Sequence, residues 1–138
     1  PKGQKKILIK KLEKIDTLIE HRKWAAANYE RRLSEIGIKT QKYPEYIEPV
    51  YLRYPVLVKD KNRILAEAKK KKIEIGDWYR TVVHPLEEKE LESIGYKMGT
   101  CPIAEDMARR LVHLPTYKKV DERYILRVVE FLKERVFI

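Results

Sequence analysis

A chain of 138 residues with 43% apolar and 38% charged residues is long enough for one domain with a real core. It is too apolar to be disordered and too charged to be embedded in a membrane, and no apolar run approaches the roughly 20 residues a bilayer span needs. The single cysteine excludes an intrachain disulfide or a Cys-rich zinc site, and the net charge of +10 leaves a phosphate-bearing partner to be weighed.

From about Lys5 to Ile36 no Pro or Gly interrupts a helical pattern. Leu8, Leu12, Ile15, Ile19, Arg22, Ala26, Tyr29, Leu33 and Ile36 recur every three or four residues, and all but Arg22 are apolar. One helix of roughly 45 Å is therefore expected, longer than a small domain needs, with part of it free to pack on something else. Gly37 is its stop signal. The basic start, Pro1 to Lys6, leads into an amphipathic segment, so no secretion signal is read and a cytoplasmic location is expected.

Thr40 to Pro49 reads as a Pro/Tyr-rich linker. Val50, Leu52, Tyr54, Val56 and Val58 then alternate as the inward side of a half-buried strand, with Pro55 marking an edge or a bulge. Asp60 caps a helix with Ile64, Leu65 and Ala68 inward, ending in Lys69 to Lys72. Ile73 to Tyr79 reads as a second strand or extended segment. Residues 80–100 form a long loop with one helical turn around Glu87 to Ser93, and a loop of that length in a compact domain points to function or disorder. Pro102 opens a short helix with Glu105 and Asp106 near its positive end. Leu111 to Leu114 is a short strand, in which His113 alternates with Val112 and Leu114 and so points away from the core. Asp121 caps the last helix, with Ile125, Val128, Val129, Leu132 and Val136 inward.

This order predicts an α+β unit: a long N-terminal helix, then a three-stranded sheet with helices packed on one face in a split βαβ arrangement. The chain is expected to be a single domain over 1–138, with a connecting helix over 1–39 and a sheet-and-helix unit over 49–138.

Residues 1–72 carry 20 Lys/Arg against 9 Asp/Glu, so the basic excess belongs to the first half. Lys2, Lys5, Lys6, Lys10 and Lys11 form one basic patch and Lys69 to Lys72 another. No stacking aromatics interleave with the first and no nucleic-acid motif appears, and the second is the expected cationic end of a helix. A basic nucleic-acid module therefore stays open as the weaker reading, as does a structural protein built on self-pairing of the long helix; a homo-oligomer formed through that helix is itself expected. Two Asn and two Gln among many Lys, Glu and Ile give a thermophile-like balance.

Several stretches together carry a family likeness. They are Leu12-Glu13-Lys14-Ile15-Asp16 with His21-Arg22 and Tyr29, the strand Tyr54 to Val58, Gly76-Asp77-Trp78-Tyr79, His84-Pro85, Cys101-Pro102-Ile103-Ala104-Glu105 and Leu114-Pro115-Thr116-Tyr117. In this order the chain resembles the C-terminal domain of the DegT/StrS sugar aminotransferases, the small domain of a fold type I aminotransferase. The resemblance implies an enzyme that uses pyridoxal phosphate (PLP) to move an amino group, by analogy from glutamate, to a nucleotide-linked keto-sugar. It also implies a first helix that leads from the large domain into this one.

Family members hold PLP on a lysine upstream of that helix, and no counterpart of that lysine, of the pyridine aspartate or of a phosphate loop stands out here. No cofactor is therefore expected on this chain, and no turnover by it alone. The family's loop matching His84 lies over the substrate, so His84 is expected to meet a sugar hydroxyl or a phosphate. Trp78 and Tyr79 are either a wall for the sugar or nucleotide or the last core residues of a strand. Cys101 lacks a neighbouring base, and the scattered histidines lack metal-ligand spacing, so neither nucleophile nor metal site is read. The carboxylates Glu87, Glu88, Glu90 and Glu92 read as a solvated loop.

Overall fold

The structure, a computed structural model, describes residues 2–136. Two helices, α1 (Lys2–Leu12) and α2 (Ile15–Glu35), stand where one was predicted, and the chain turns at Glu13 and Lys14. No Pro or Gly marks this break, and nothing in the sequence explains it. The apolar stripe divides there as well. Ala26, Tyr29 and Leu33 of α2 are buried, whereas Leu8 and Leu12 of α1 lie open to solvent.

Helix α2 stops as its sequence requires. Gly37 takes a left-handed φ of 76°, letting Ile38 N–H reach Leu33 O at 2.9 Å and Gly37 N–H reach Ser34 O at 3.0 Å. These two bonds satisfy carbonyls that the last turn leaves open.

The expected three-stranded sheet is a two-stranded one. Strand β1 (Tyr54–Leu57) runs antiparallel to β2 (Leu111–Leu114), with Tyr54 opposite Leu114 and Pro55 opposite His113. The predicted third strand contributes one bridge only, between Gly76 and His113. The first half of the predicted Val50–Val58 strand is also missing from the sheet. Tyr51 there adopts a positive φ of 51°, which breaks the alternation.

Helix α3 (Lys61–Lys70) is capped by Asp60, whose carboxylate accepts from Arg63 N–H at 2.9 Å. A 3-10 helix over Glu88–Ile94 fills the predicted helical turn of the loop and ends at Gly95. Helix α4 (Pro102–Arg110) begins on its proline, and α5 (Glu122–Val136) begins behind Asp121, which accepts from Tyr124 N–H at 2.7 Å.

One face of the sheet makes the core. Tyr54, Val56, Val112 and Leu114 pack with Ala25, Ala26, Tyr29 and Leu33 of α2, Ile64 and Ala68 of α3, and Ile125, Val128, Val129 and Leu132 of α5. Four of the five predicted inward positions of α5 are therefore buried; the side chain of Val136 lies outside the described residues. Of the expected α+β unit, helices packed on a small sheet remain, and that sheet is two-stranded and antiparallel. No helix among the described residues is long and apolar enough to cross a membrane.

Candidate substrate-binding site

The opposite face of the sheet positions the three residues singled out in the sequence. Pro55 and His113 lie opposite each other there, since their neighbours Tyr54, Val56, Val112 and Leu114 point into the core. Gly76 lies against His113, exchanging backbone bonds of 2.7 and 3.1 Å. A Cβ on Gly76 would sit 3.3 Å from His113 Cβ, so glycine is what allows this close approach. The chain then carries Trp78 and Tyr79 across the imidazole, with ring centroids 6.3 and 6.1 Å from it.

Tyr79 bridges two histidines, since its ring also meets His84 edge-on at 5.7 Å. Trp78, Tyr79 and His84 therefore converge on one surface, and all three are exposed. An open depression there is lined by Asp77, Trp78, Arg80, His84 and Pro85. Trp78 remains 43% exposed, which separates it from an ordinary core aromatic. Its ring is steadied by the Arg53 guanidinium, 5.3 Å from its centroid. Arg53 in turn pairs with Glu74 at 3.1 Å, and Glu74 accepts from the Tyr117 hydroxyl at 2.7 Å. That bond raises the Tyr117 phenol to about 12. Aromatic faces beside an imidazole and a guanidinium can hold a sugar ring and its hydroxyls or phosphates.

His113 is the first residue whose surroundings differ from expectation. It does point away from the main core, yet it is buried under Trp78 and Tyr79 at 7% exposure. Burial lowers its pKa below the free value of 6.5, and the positive charges of Lys61 and Arg53 push the same way. Its Nδ1 has no hydrogen-bond partner. The fold thus keeps a neutral ring, while the unfolded chain takes up a proton near 6.5. Stability should be full above about pH 6.5 and fall as the pH drops below it, until the lower folded value is passed. Denaturation midpoints measured at pH 7 and about pH 5 should show this drop in the parent and a smaller one in His113→Phe. Equal drops in both would contradict the assignment.

Nothing in the sequence around Lys61 marks it as a site residue. Lys61 is buried at 6% exposure, the one buried lysine among the described residues. Its Nζ lies 3.0 Å from Tyr79 O, 3.0 Å from Ala108 O and 2.6 Å from Asp77 Oδ1. The Asp77 contact is a charge pairing made off the hydrogen-bond direction, since Oδ1 has no aligned donor. Asp77 also meets Arg80 at 3.4 Å, and Arg80 meets Glu87 at 2.8 Å.

Two motif residues prove to be fasteners. Glu105, buried at the start of α4, accepts from Tyr96 Oη and Gly99 N–H, each at 2.7 Å, and so ties the long loop to α4. The Tyr96 bond is the main reason its carboxyl lies below the ordinary range. Thr116 shares its hydroxyl between Tyr51 O at 2.7 Å and Leu52 O at 3.0 Å, holding the approach to β1.

The sequence over residues 4–133 matches the model of the DegT/DnrJ/EryC1/StrS aminotransferase family. The chain belongs to that family. The family is PLP-dependent, and proteins of similar fold include one solved in a PLP form. The fold is similar to that of DesV from S. venezuelae, with a TM-score of 0.81, 23% identity, and coverage of 93% of this chain and 34% of that one. It is similar also to the sugar aminotransferase CalS13 from Micromonospora echinospora (TM-score 0.69, 23% identity, 89% and 32% covered). Spr1654 from Streptococcus pneumoniae in its PLP form gives a TM-score of 0.79 at 20% identity, with 91% and 33% covered. At these identities the likeness is one of fold, and this family member spans about a third of their length. No curated protein sequence matches it.

Proposed function

We propose that this family member acts as the C-terminal small domain of a PLP-dependent nucleotide-sugar aminotransferase. Residues 1–39 are its connecting helical segment and 49–138 its sheet-and-helix unit. The observation that carries the reading is the convergence of Trp78, Tyr79 and His84 on one exposed surface, in a chain with the fold of about a third of a sugar aminotransferase.

In the whole enzyme an amino group passes, by family analogy from glutamate, to a keto-sugar on a nucleoside diphosphate. PLP supplies the electron sink for that chemistry. The residues described here do not fit the coenzyme itself. The amine of Lys61, the one enclosed lysine among those described, is held by two carbonyl hydrogen bonds and a charge pairing with Asp77, and the remaining described lysines lie at least partly in solvent. A Schiff-base lysine needs a desolvated free amine. The contribution of this chain is therefore a wall (Trp78 and Tyr79), a polar contact (His84) and a cover that excludes water.

Two tests bear on this reading. UDP-glucose should bind the chain weakly but saturably, changing its tryptophan fluorescence. Tight oligonucleotide binding that falls steeply with salt, with no response to UDP-glucose, would favour the basic module instead. Treatment with PLP and borohydride should label no single lysine stoichiometrically, and one dominant labelled lysine would contradict the absence of a coenzyme site. The exposed Ile7, Leu8, Ile9 and Leu12 of α1 support a contact with a second copy. Sedimentation equilibrium should accordingly show mass rising with concentration.

A further inference from the structure

We propose that Lys61 is the positioning residue of the Trp78–Tyr79 wall, an inference that rests on reading that wall as the substrate-facing surface. A lysine at the first position of an exposed helix ordinarily runs its stem over the surface and leaves its head in water. Lys61 instead sends its head inward, beneath the segment that carries the aromatic pair.

An ammonium has three donors and no acceptor. Here three oxygens from two distant parts of the chain surround it. Two of them, Asp77 Oδ1 and Tyr79 O, flank Trp78 on either side. The third, Ala108 O, is among the last carbonyls of α4, which lack helical partners and favour a cation. Lys61 therefore fastens both flanks of Trp78 to the end of α4 and the start of α3. On the far side of the same segment the Gly76–His113 bridge and the Arg53 guanidinium hold it from the sheet. The wall is thus clamped between two supports, and only the Lys61 support is a single side chain.

Removing the amine leaves a carboxylate and two carbonyls without their shared cation. Asp77 then keeps only Arg80, the two carbonyls recover partners only by turning toward water, and that movement releases residues 77–79. None of Lys61, Asp77, Tyr79 and Ala108 belongs to the core cluster, so the main core persists.

The test uses a Trp24→Phe background, in which Trp78 is the only indole left of the two. Lys61→Met is expected to keep the far-UV circular dichroism of its parent. Its Trp78 emission should become more accessible to acrylamide, and its UDP-glucose affinity should fall roughly tenfold. Lys61→Arg, which again offers donors to the same oxygens, should restore both readouts most of the way. Unchanged quenching and affinity in a folded Lys61→Met would overturn the proposal. Should Lys61→Met fail to fold, Asp77→Asn decides: it keeps both carbonyl bonds and removes one charge, so smaller changes of the same sign support the clamp and none overturn it. A parent that ignores UDP-glucose while Lys61→Met still loosens Trp78 would sink the substrate reading and leave the clamp standing.

Discussion

Leu132→Ala is expected to cost about 3 kcal/mol of folding stability, within the range of roughly 2–5 for emptying a fully buried leucine site. Leu132 is completely buried on α5, in the cluster that α2, α3, α5 and one face of the sheet share. The cavity would open inside that cluster, where α5 packs against α2. A domain of this size has a total stability on the order of 5–15 kcal/mol, so the loss is a large part of the whole. Leu126→Ala, on the same helix but 40% exposed, should change stability by no more than about 0.5 kcal/mol. Leu8→Ala on α1 should be as small within this chain, since that side chain is mostly exposed. Urea denaturation separates these cases. Equal losses at Leu132 and Leu126 would mean that α5 presents a different face to the core.

Trp78→Ala should weaken UDP-glucose binding by roughly 5- to 150-fold, the equivalent of the about 1–3 kcal/mol that one stacked aromatic contributes. Part of the cost is direct, because the exposed ring face is gone. Part is indirect, because Arg53 and His113 lose the ring that lies between them and solvent. His84→Ala should cost less, about 1 kcal/mol, as expected for one polar contact at an exposed site. Tyr79 bridges His84 and His113, so losses from Tyr79→Ala and His84→Ala should not add. Isothermal titration with each variant measures these effects, and a Trp78→Ala protein that binds as its parent does would remove the wall from the site.

Where local chemistry decides the structure, the sequence was a good guide. Gly37 stops α2, Asp60 and Asp121 cap α3 and α5, and Pro102 opens α4, each for reasons contained in one or two neighbouring residues. The inward residues of α5 followed from helical spacing alone. The failures have long-range causes. Val50 and Leu52 alternate correctly with Tyr54, but the carbonyls of Tyr51 and Leu52 are taken by Thr116, 65 and 64 residues away. Beyond Gly76 the third strand gives way because Asp77 and Tyr79 turn to Lys61 in place of a neighbouring strand.

Trp78, Tyr79 and His84 were found because aromatic residues, a histidine and a family pattern are visible in one dimension. Lys61 and His113 were not, because their importance lies in what covers them. A lysine between Asp60 and Asn62 reads as solvent-facing until the Ala108 carbonyl, 47 residues on, is seen beside it. His113 reads as an outward residue of a strand until the aromatic pair is laid across it. A buried charge inferred from sequence would need its partner to be known first.

A titration of the isotopically labelled chain with UDP-glucose, followed by nuclear magnetic resonance, bears most directly on what this domain is for. Saturable shifts of the Trp78 indole, the Tyr79 ring and the His84 imidazole are predicted, while the indole of Trp24 on α2 stays where it was. Shifts confined to the lysine-bearing face of α1, or none at all up to saturating ligand, would show that the aromatic surface does not meet a sugar nucleotide.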